Sequence, residues 1–566
     1  PSDGVTRLAV AHATATAIGD LDADGRADLA VAVHQGATSL EADSAIYFGQ
    51  GRRTFERAAN RLPTTGASFV TIAPAHANQP CRAIFCNSNG GTLREAVPLQ
   101  VYWGGEEGFD PKRVWSIPFA CGYESTAADL NGDGYTDLVA LNSGHAGEAA
   151  KADPHLGANI FWGSREGFDL ERARTVLREF NVGTSNVADL NRDGYLDLVL
   201  GQFAAAEPTG TAEVILWYGS EHGFERDRRT TIASPGRSIS TVIADLNQDG
   251  DLDIAVNSFE RDVVRVFWGK AGQFDADRQL QLPIHSPIDV ETADLNADGR
   301  LDLIVGSYHD RLAGHHDTGT LICWGSGDAQ RPFQTWNAQW LPGSTPIGHC
   351  VADFDRDGHL DIFSPHYHGD LTRESLPSYL FWGSPQGLDP RQKTTLICDS
   401  ADDALAGDFD RDGKLDLAVV CHARDAQHDT FSHVYFNDGQ RFTQPRITRL
   451  PTRGPHWMWQ EDMGHIAHRR WEQVYESSPF CWTSPAGRGE LAFTADVPPG
   501  TKLAFAVRSA LEPGRLADAA WRPLEAGSGR KFSIPENHRV LAYRAQFYSD
   551  NGDRYPVLHR VEIKVD

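Results

Sequence analysis

No stretch of the chain approaches the roughly 18 consecutive apolar residues of a membrane-crossing helix, so no membrane span is expected. Base is also short: 52 Lys and Arg stand against 77 Asp and Glu, a formal charge of −25. That balance argues against duplex nucleic acid or an anionic bilayer as partner. The eight cysteines, at 81, 86, 121, 323, 350, 398, 421 and 481, include no CxxC pair and no regular ladder, which excludes a zinc ribbon or a disulfide framework and leaves mostly buried thiols. Cys81 and Cys86 would point to opposite faces of a strand, which disfavours a local bridge. No secretion signal is recognisable, and the chain begins at Pro1 rather than Met, as expected if a leader lies upstream.

What is present is globular. Hydrophobic residues make up 40% and charged residues 23%, enough apolar side chain for a large core. The 54 glycines and 30 prolines are spread along the chain, as many short strands joined by turns require. At 566 residues two domains are expected, unless a closed repeat array absorbs most of the length.

The repeats are the strongest signal. Seven segments share the pattern D-x-[DN]-x-D-G-x-x-D-[LI], with spacings that imply a repeat of about 55 residues. A β-prone run follows each, and then an aromatic strand ending in Gly, such as Phe161-Trp-Gly163 or Phe381-Trp-Gly383; the eighth aromatic strand ends Tyr435-Phe-Asn437. Eight aromatic strands with seven acidic loops imply that one repeat has lost its loop. It is the second, where residues 69–72 and 83–86 read as strands around a degenerate connection at 77–80. The fold expected is all-β: an eight-bladed β-propeller over residues 1–455, a linker at 456–480 and a C-terminal β-sandwich domain at 481–566. Seven blades is the alternative, if residues 5–8 complete the blade ending at 447–450.

Each acidic loop offers hard oxygen donors at positions 1, 3, 5 and 9, a backbone carbonyl at 7 and a sharp turn at the sixth-position Gly, which suits Ca2+. The candidate ligands are Asp20, Asp22, Asp24 and Asp28; Asp129, Asn131, Asp133 and Asp137; Asp189, Asn191, Asp193 and Asp197; Asp245, Asn247, Asp249 and Asp253; Asp294, Asn296, Asp298 and Asp302; Asp353, Asp355, Asp357 and Asp361; and Asp408, Asp410, Asp412 and Asp416. Position 12 carries no Glu and no helices flank the loops, so these are hairpin loops rather than EF-hands. Seven filled loops would bring −25 to −11, so metal removal should leave dense like charge that loosens the blades.

These loops, with the aromatic-Gly strands, make residues 12–450 resemble the FG-GAP/VCBS repeat propellers, a group that includes integrin α-chain heads and several bacterial polysaccharide-degrading enzymes. The resemblance implies the fold, structural Ca2+ and a secreted or periplasmic bacterial protein, and it leaves function open because the scaffold serves both adhesion and catalysis.

Successive turns of an antiparallel blade alternate between its two ends, so the end away from the acidic loops is the place for a site. Six residues past the last loop Asp stand His34, Ser143, Phe203, Phe259, Tyr308, Tyr367 and His422, and the loops entering each first strand add His12, Tyr123, Arg237, His285 and His349. Around Tyr308-His309, His315-His316 and His366-Tyr367-His368 the density is greatest. Such groups can move protons near neutral pH, although any one of them read alone is more simply a hydrogen-bonding rim residue. The candidate catalytic set is His309, His349, His366, Tyr367, His368, Tyr308, Arg237, Arg261 and His285.

The chemistry that best uses this set is β-elimination of a uronic-acid polysaccharide or oligosaccharide: His or Tyr removes the C5 proton, and cations hold the developing enediolate. Hydrolysis by a carboxylate pair drawn from Asp310, Asp317, Asp370, Glu374 and Asp402 is one alternative. A transition metal on His309, His349, His366 and His368 is another. A third is a non-catalytic glycan- or protein-binding propeller in which Phe203, Phe259 and Tyr367 stack on the ligand. For the C-terminal domain a cap, a dimer contact and a glycan module stay open.

Overall fold

The computed structural model describes residues 10–566 apart from short gaps, the longest being 34–40, 74–81, 88–98, 104–111, 143–156, 203–210 and 454–471. The chain divides into two compact units, Pro1–Glu461 and Asp462–Asp566. The N-terminal unit is an all-β propeller, and among the described residues its only helical turns are short 3-10 segments.

Among the described residues its strands form six four-stranded antiparallel meanders and one nine-stranded sheet that joins two further meanders, at 401–453 and 13–65. Their first strands are Ala13–Gly19, Ala67–Ala73, Gly122–Ala128, Val182–Ala188, Thr241–Ala244, Pro287–Ala293, Cys350–Ala352 and Ala401–Gly407, and they number the repeats 1 to 8. First strands of successive repeats lie side by side in most cases, the arrangement of radially packed sheets. Ala13 of repeat 1 also pairs with Thr452 of repeat 8, in parallel. The expected degenerate repeat is present, its second strand Arg82–Asn87 opening on Arg82 where the others open on Asp. Residues 5–8 and the 77–80 connection fall outside the described residues.

Second strands are buried on both faces because each sheet is covered by a neighbour on either side. Asp197–Gln202, Asp253–Ser258 and Asp302–Ser307 are buried at every position, which is why they read as continuous apolar runs rather than alternating ones. The apolar clusters straddle neighbours. Ile254 and Phe267 of repeat 5 pack with Val199 and Leu216 of repeat 4, and Leu303 and Val305 of repeat 6 pack with Val264 and Val266 of repeat 5. The blade-to-blade interface is therefore the core. Cys323, Cys350, Cys398 and Cys421 are buried free thiols within it, while Cys481 is exposed.

In the C-terminal unit one antiparallel sheet is built on Thr501–Ala510 and Val540–Ser549, and a second on Arg488–Asp496 and Val557–Val565. Both feed one apolar cluster, which includes Leu491, Phe505, Val507, Leu541 and Ala545. The strand Glu472–Glu476 pairs with Val540–Ser549, so this part of the expected 456–480 linker belongs to the C-terminal sheet.

Candidate functional site

Each described acidic loop turns through two left-handed residues. Positive φ falls at position 4 (Gly132, Arg192, Gln248, Ala297, Arg356) and again at the sixth-position Gly (Gly134, Gly194, Gly250, Gly299, Gly358). Glycine adopts that conformation without a Cβ clash. The turn folds carboxylates onto backbone N–H groups: in repeat 4, Asp189 accepts from the amides of Asp193 and Gly194, and Asn191 from that of Asp193.

The ninth-position Asp has a second task. Its Oδ2 accepts from the amide at position 2, as in Leu190 to Asp197 at 2.9 Å, and its Oδ1 accepts from the amide after the aromatic pair, as in Gly219 to Asp197 at 2.8 Å. The same double bond recurs at Asp28, Asp137, Asp253, Asp302, Asp361 and Asp416. It also explains the aromatic-Gly signature. A Cβ on Gly219 would sit 2.3 Å from the Leu196 carbonyl oxygen, and one on Gly269 would sit 1.9 Å from that of Leu252. Repeat 8 places Asn437 there, and its side chain donates to the Leu415 and Phe354 carbonyls.

Burial beside other carboxylates pushes the Asp197 and Asp253 carboxyls up to about 8 and those of Asp302 and Asp361 to about 7. A bound divalent cation would reverse that shift by favouring the charged form. The donors fit such an ion: oxygens of Asp353, Asp355 and Asp361 lie within 4.8 Å of one another, and all are hard ligands. Asp20, Asp24, Asp408 and Asp410 lie outside the described residues.

The second strand of repeat 6 runs from Asp302 to Ser307, so it delivers Tyr308 to the opposite end. There the structure gathers rings from repeats 5 to 8. Tyr308 lies 5.5 Å from Phe259, 6.3 Å from Tyr367 and 6.4 Å from His368. Tyr367 lies 5.6 Å from His368 and 5.4 Å from His422. His316 stacks on His368 at 4.5 Å and meets His309 at 4.7 Å. Tyr308, His309 and His368 of the expected set are thus brought together, half-buried, over a floor made by Tyr367, Ile288 and Ile347.

His316 is the residue that sequence reasoning passed over when choosing catalytic groups. Its Nδ1 lies 3.2 Å from the Tyr308 carbonyl oxygen and 2.9 Å from Thr345 Oγ1, while the Thr345 hydroxyl donates to that same carbonyl at 2.8 Å. A carbonyl can only accept, so Nδ1 carries the proton and Nε2 is left as the basic nitrogen. The available signal was Thr345, which lies 29 residues away in sequence.

Four of the expected residues are placed elsewhere or differently. His349 is 5% exposed, not an open rim group: its Nδ1 meets Asp289 at 2.8 Å, its Nε2 meets Thr320 Oγ1 at 2.7 Å, and Thr320 reaches Ser364 at 3.1 Å. It clasps repeat 6 to repeat 7. His366 is buried beside Tyr379 at 4.8 Å, and desolvation lowers its pKa to about 3. Tyr367 is 2% exposed and forms floor rather than rim. His285 stands exposed on the turn entering repeat 6 and takes no part in the ring contacts described.

Four metal-binding histidines therefore do not converge at this end, since His349 and His366 are buried in separate partnerships while His309 and His368 flank His316. Arg237 and Arg261 sit together in repeat 5, where Phe259 N–H donates to the Arg237 carbonyl at 3.1 Å and Gly236 leaves room for the Arg261 stem. His12, His34, Ser143, Phe203, Asp370 and Glu374 lie outside the described residues.

Comparison with known proteins agrees with the repeat reading. The family model described as an FG-GAP-like repeat matches residues 129–200, 189–256 and 245–305, so these are FG-GAP-like repeats. Integrin alpha-PS3 of Drosophila melanogaster is 32% identical over 126 residues, covering 21% of this chain and 10% of that protein. Integrin alpha-PS5 of the same fly is 30% identical over 179 residues, 31% of this chain and 16% of that protein. Integrin alpha-3 of Mus musculus is 30% identical over 162 residues, 26% and 15% respectively. The match thus spans about a sixth or less of each of these relatives.

Among solved structures, Saccharomyces cerevisiae Sqt1 aligns at TM-score 0.45 and 9% identity, covering 78% of this chain and 97% of that one. A chain titled Dos1 propeller aligns at 0.44 and 8%, covering 74% and 91%. No helix among the described residues is long and apolar enough to cross a membrane.

Proposed function

We propose that the chain is an exported, calcium-stapled, eight-bladed propeller with a C-terminal β-sandwich, and that its histidine-rich end acts on a uronic-acid-containing glycan. One observation carries this reading: Tyr308, His309, His316 and His368 converge from repeats 6 and 7, and His316 presents a basic Nε2. In β-elimination His316 Nε2 takes the C5 proton, the C4–O bond breaks as C4=C5 forms, and the Tyr308 phenol protonates the departing oxygen. Arg237 and Arg261, beside Phe259 on the same side as Tyr308, supply the cations for the uronate. At the other end Ca2+ is held by the seven Asp and Asn sets, where it neutralises packed carboxylates and takes no part in the chemistry.

The test is incubation with a panel of uronic-acid glycans while following the ultraviolet absorbance of the unsaturated product. Turnover that falls at least a hundredfold in His316→Ala supports the reading. Retention on a glycan with neither absorbance nor new reducing ends leaves a purely binding propeller. That second reading is favoured by the relatives, which are integrin α chains by name.

A further inference from the structure

Four of the acidic loops carry Asn at the third position, and a different residue follows it in each: Asn131-Gly132 in repeat 3, Asn191-Arg192 in repeat 4, Asn247-Gln248 in repeat 5 and Asn296-Ala297 in repeat 6. The four are held alike. In each the Asn Oδ1 accepts from the amide of the fifth-position Asp at 2.9–3.0 Å, and its Nδ2 donates to that Asp's carboxylate at 3.0–3.4 Å. The fourth-position residue is left-handed in all of them, with φ between +55° and +71°. What sets repeat 3 apart is the missing side chain at Gly132.

That difference has a chemical consequence. The amide nitrogen after an Asn can attack the side-chain carbonyl carbon, and a Cβ on the following residue crowds the approach. Gly132 has none, is exposed, and has open space where a Cβ would stand. The surrounding groups assist. The Gly132 amide faces the Asp129 carboxylate, which can take its proton, and the Asp133 amide bonded to Asn131 Oδ1 at 3.0 Å stabilises negative charge building there. We infer that Asn131 is a deamidation site built into the acidic loop of repeat 3, faster than its three counterparts, and that its isoaspartyl product releases the ion of that loop alone. The Gly132 nitrogen loses its proton and bonds to Asn131 Cγ, the Cγ–Nδ2 bond breaks as ammonia leaves, and one water opens the cyclic imide at either carbonyl.

The two products act differently on the loop. Asp at the third position is what repeats 1, 7 and 8 already carry, as Asp22, Asp355 and Asp410, so that product keeps a full set of hard donors. The isoaspartyl product instead adds a methylene to the backbone before Gly132. That draws the Asp133 amide away from Asp129 and from residue 131. Asp129 and Asn131 oxygens engaged on Ca2+ are withdrawn from the reaction, so conversion belongs to the ion-free loop; this protection rests on the calcium reading above.

The whole chain, either chelator-stripped or calcium-loaded, is held at mildly alkaline pH and the four loops are followed by peptide mapping that separates Asp from isoaspartate. In the stripped chain Asn131 should convert roughly ten-fold faster than Asn191, Asn247 or Asn296, and calcium should slow it several-fold. Gly132→Arg copies the residue that repeat 4 holds at the same left-handed position, and it should bring the rate down to that of Asn191. Asn131→Asp should take up as many ions as the wild type, whereas chain aged to isoaspartate should take up one fewer. Conversion at Asn131 no faster than at the other three overturns the site, and aged chain that keeps its full ion count overturns the release. Conversion equally fast with and without calcium overturns the ion's place in this loop while leaving the site standing.

Discussion

At one end of the propeller the turn between first and second strands is written almost identically seven times; at the other, the residue that follows the second strand is, among the described residues, Phe259, Tyr308, Tyr367 or His422. The uniform end answers to a demand inside each blade. Seven times the ninth Asp ties the start of its loop to the third strand by two amide hydrogen bonds, so the loop cannot drift without breaking the sheet. At the variable end the recurring tie is between backbone atoms, Phe259 to Arg237, Tyr308 to Ser286, Tyr367 to Thr345 and His422 to Ser400, so it makes no demand on side chains and different repeats can carry different groups. The contrast teaches that repetition here marks structure, and that chemistry is to be sought where the repeats disagree.

The largest expected effect breaks the uniform end as a whole. Stripping the chain with a chelator should lower its melting temperature by ~10 °C or more, because each ion bound only by the folded state adds stability through mass action; returning calcium should restore it, as differential scanning calorimetry would show. Next, Asp253→Ala removes both bonds of one staple, to Leu246 and to Gly269. It should cost about 3–5 kcal/mol in denaturant unfolding, since two buried amides lose their acceptor. Asn in place of Asp253 should recover only part of that.

At the variable end, His316→Ala and Tyr308→Phe should reduce turnover of a uronic glycan by a hundredfold or more and shift the melting temperature by no more than a degree or two. That outcome sharpens the comparison, because a residue at the uniform end should show the reverse.

An effect confined to acid concerns His366, buried as the neutral form with a pKa lowered to about 3. Its unfolded value lies near 6.5, so the unfolded chain takes up a proton that the folded chain refuses as the pH falls. The stability from keeping this ring neutral is present above pH 6.5 and is lost toward the folded value near 3, at about 1.4 kcal/mol per pH unit. His366→Gln should flatten that part of the profile relative to wild type in urea melts.

Much of this was legible in the sequence for a physical reason. A loop that must place oxygens at fixed spacing and turn through a left-handed Gly leaves a rigid pattern, and so does a glycine pressed against a carbonyl, as Gly219 is against Leu196. The second strand's direction then places Tyr308 and Tyr367 at the opposite end without further information. What could not be read was which way each ring points. His349 and His366 share the spacing and residue type of rim histidines, yet Asp289 and Thr320 draw one inward and a close approach to Gly343 marks the burial of the other. His316 emerged only because Thr345, from the next loop, fixes its tautomer.

The division between the two ends is tested most directly by titrating the chelator-stripped chain with calcium while recording its glycan retention and melting temperature together. The account predicts that about seven ions bind, that the melting temperature climbs as they do, and that His316→Ala takes up the same number of ions while losing glycan turnover. A chain that binds no calcium specifically, or one whose His316 variant loses calcium along with activity, would contradict it.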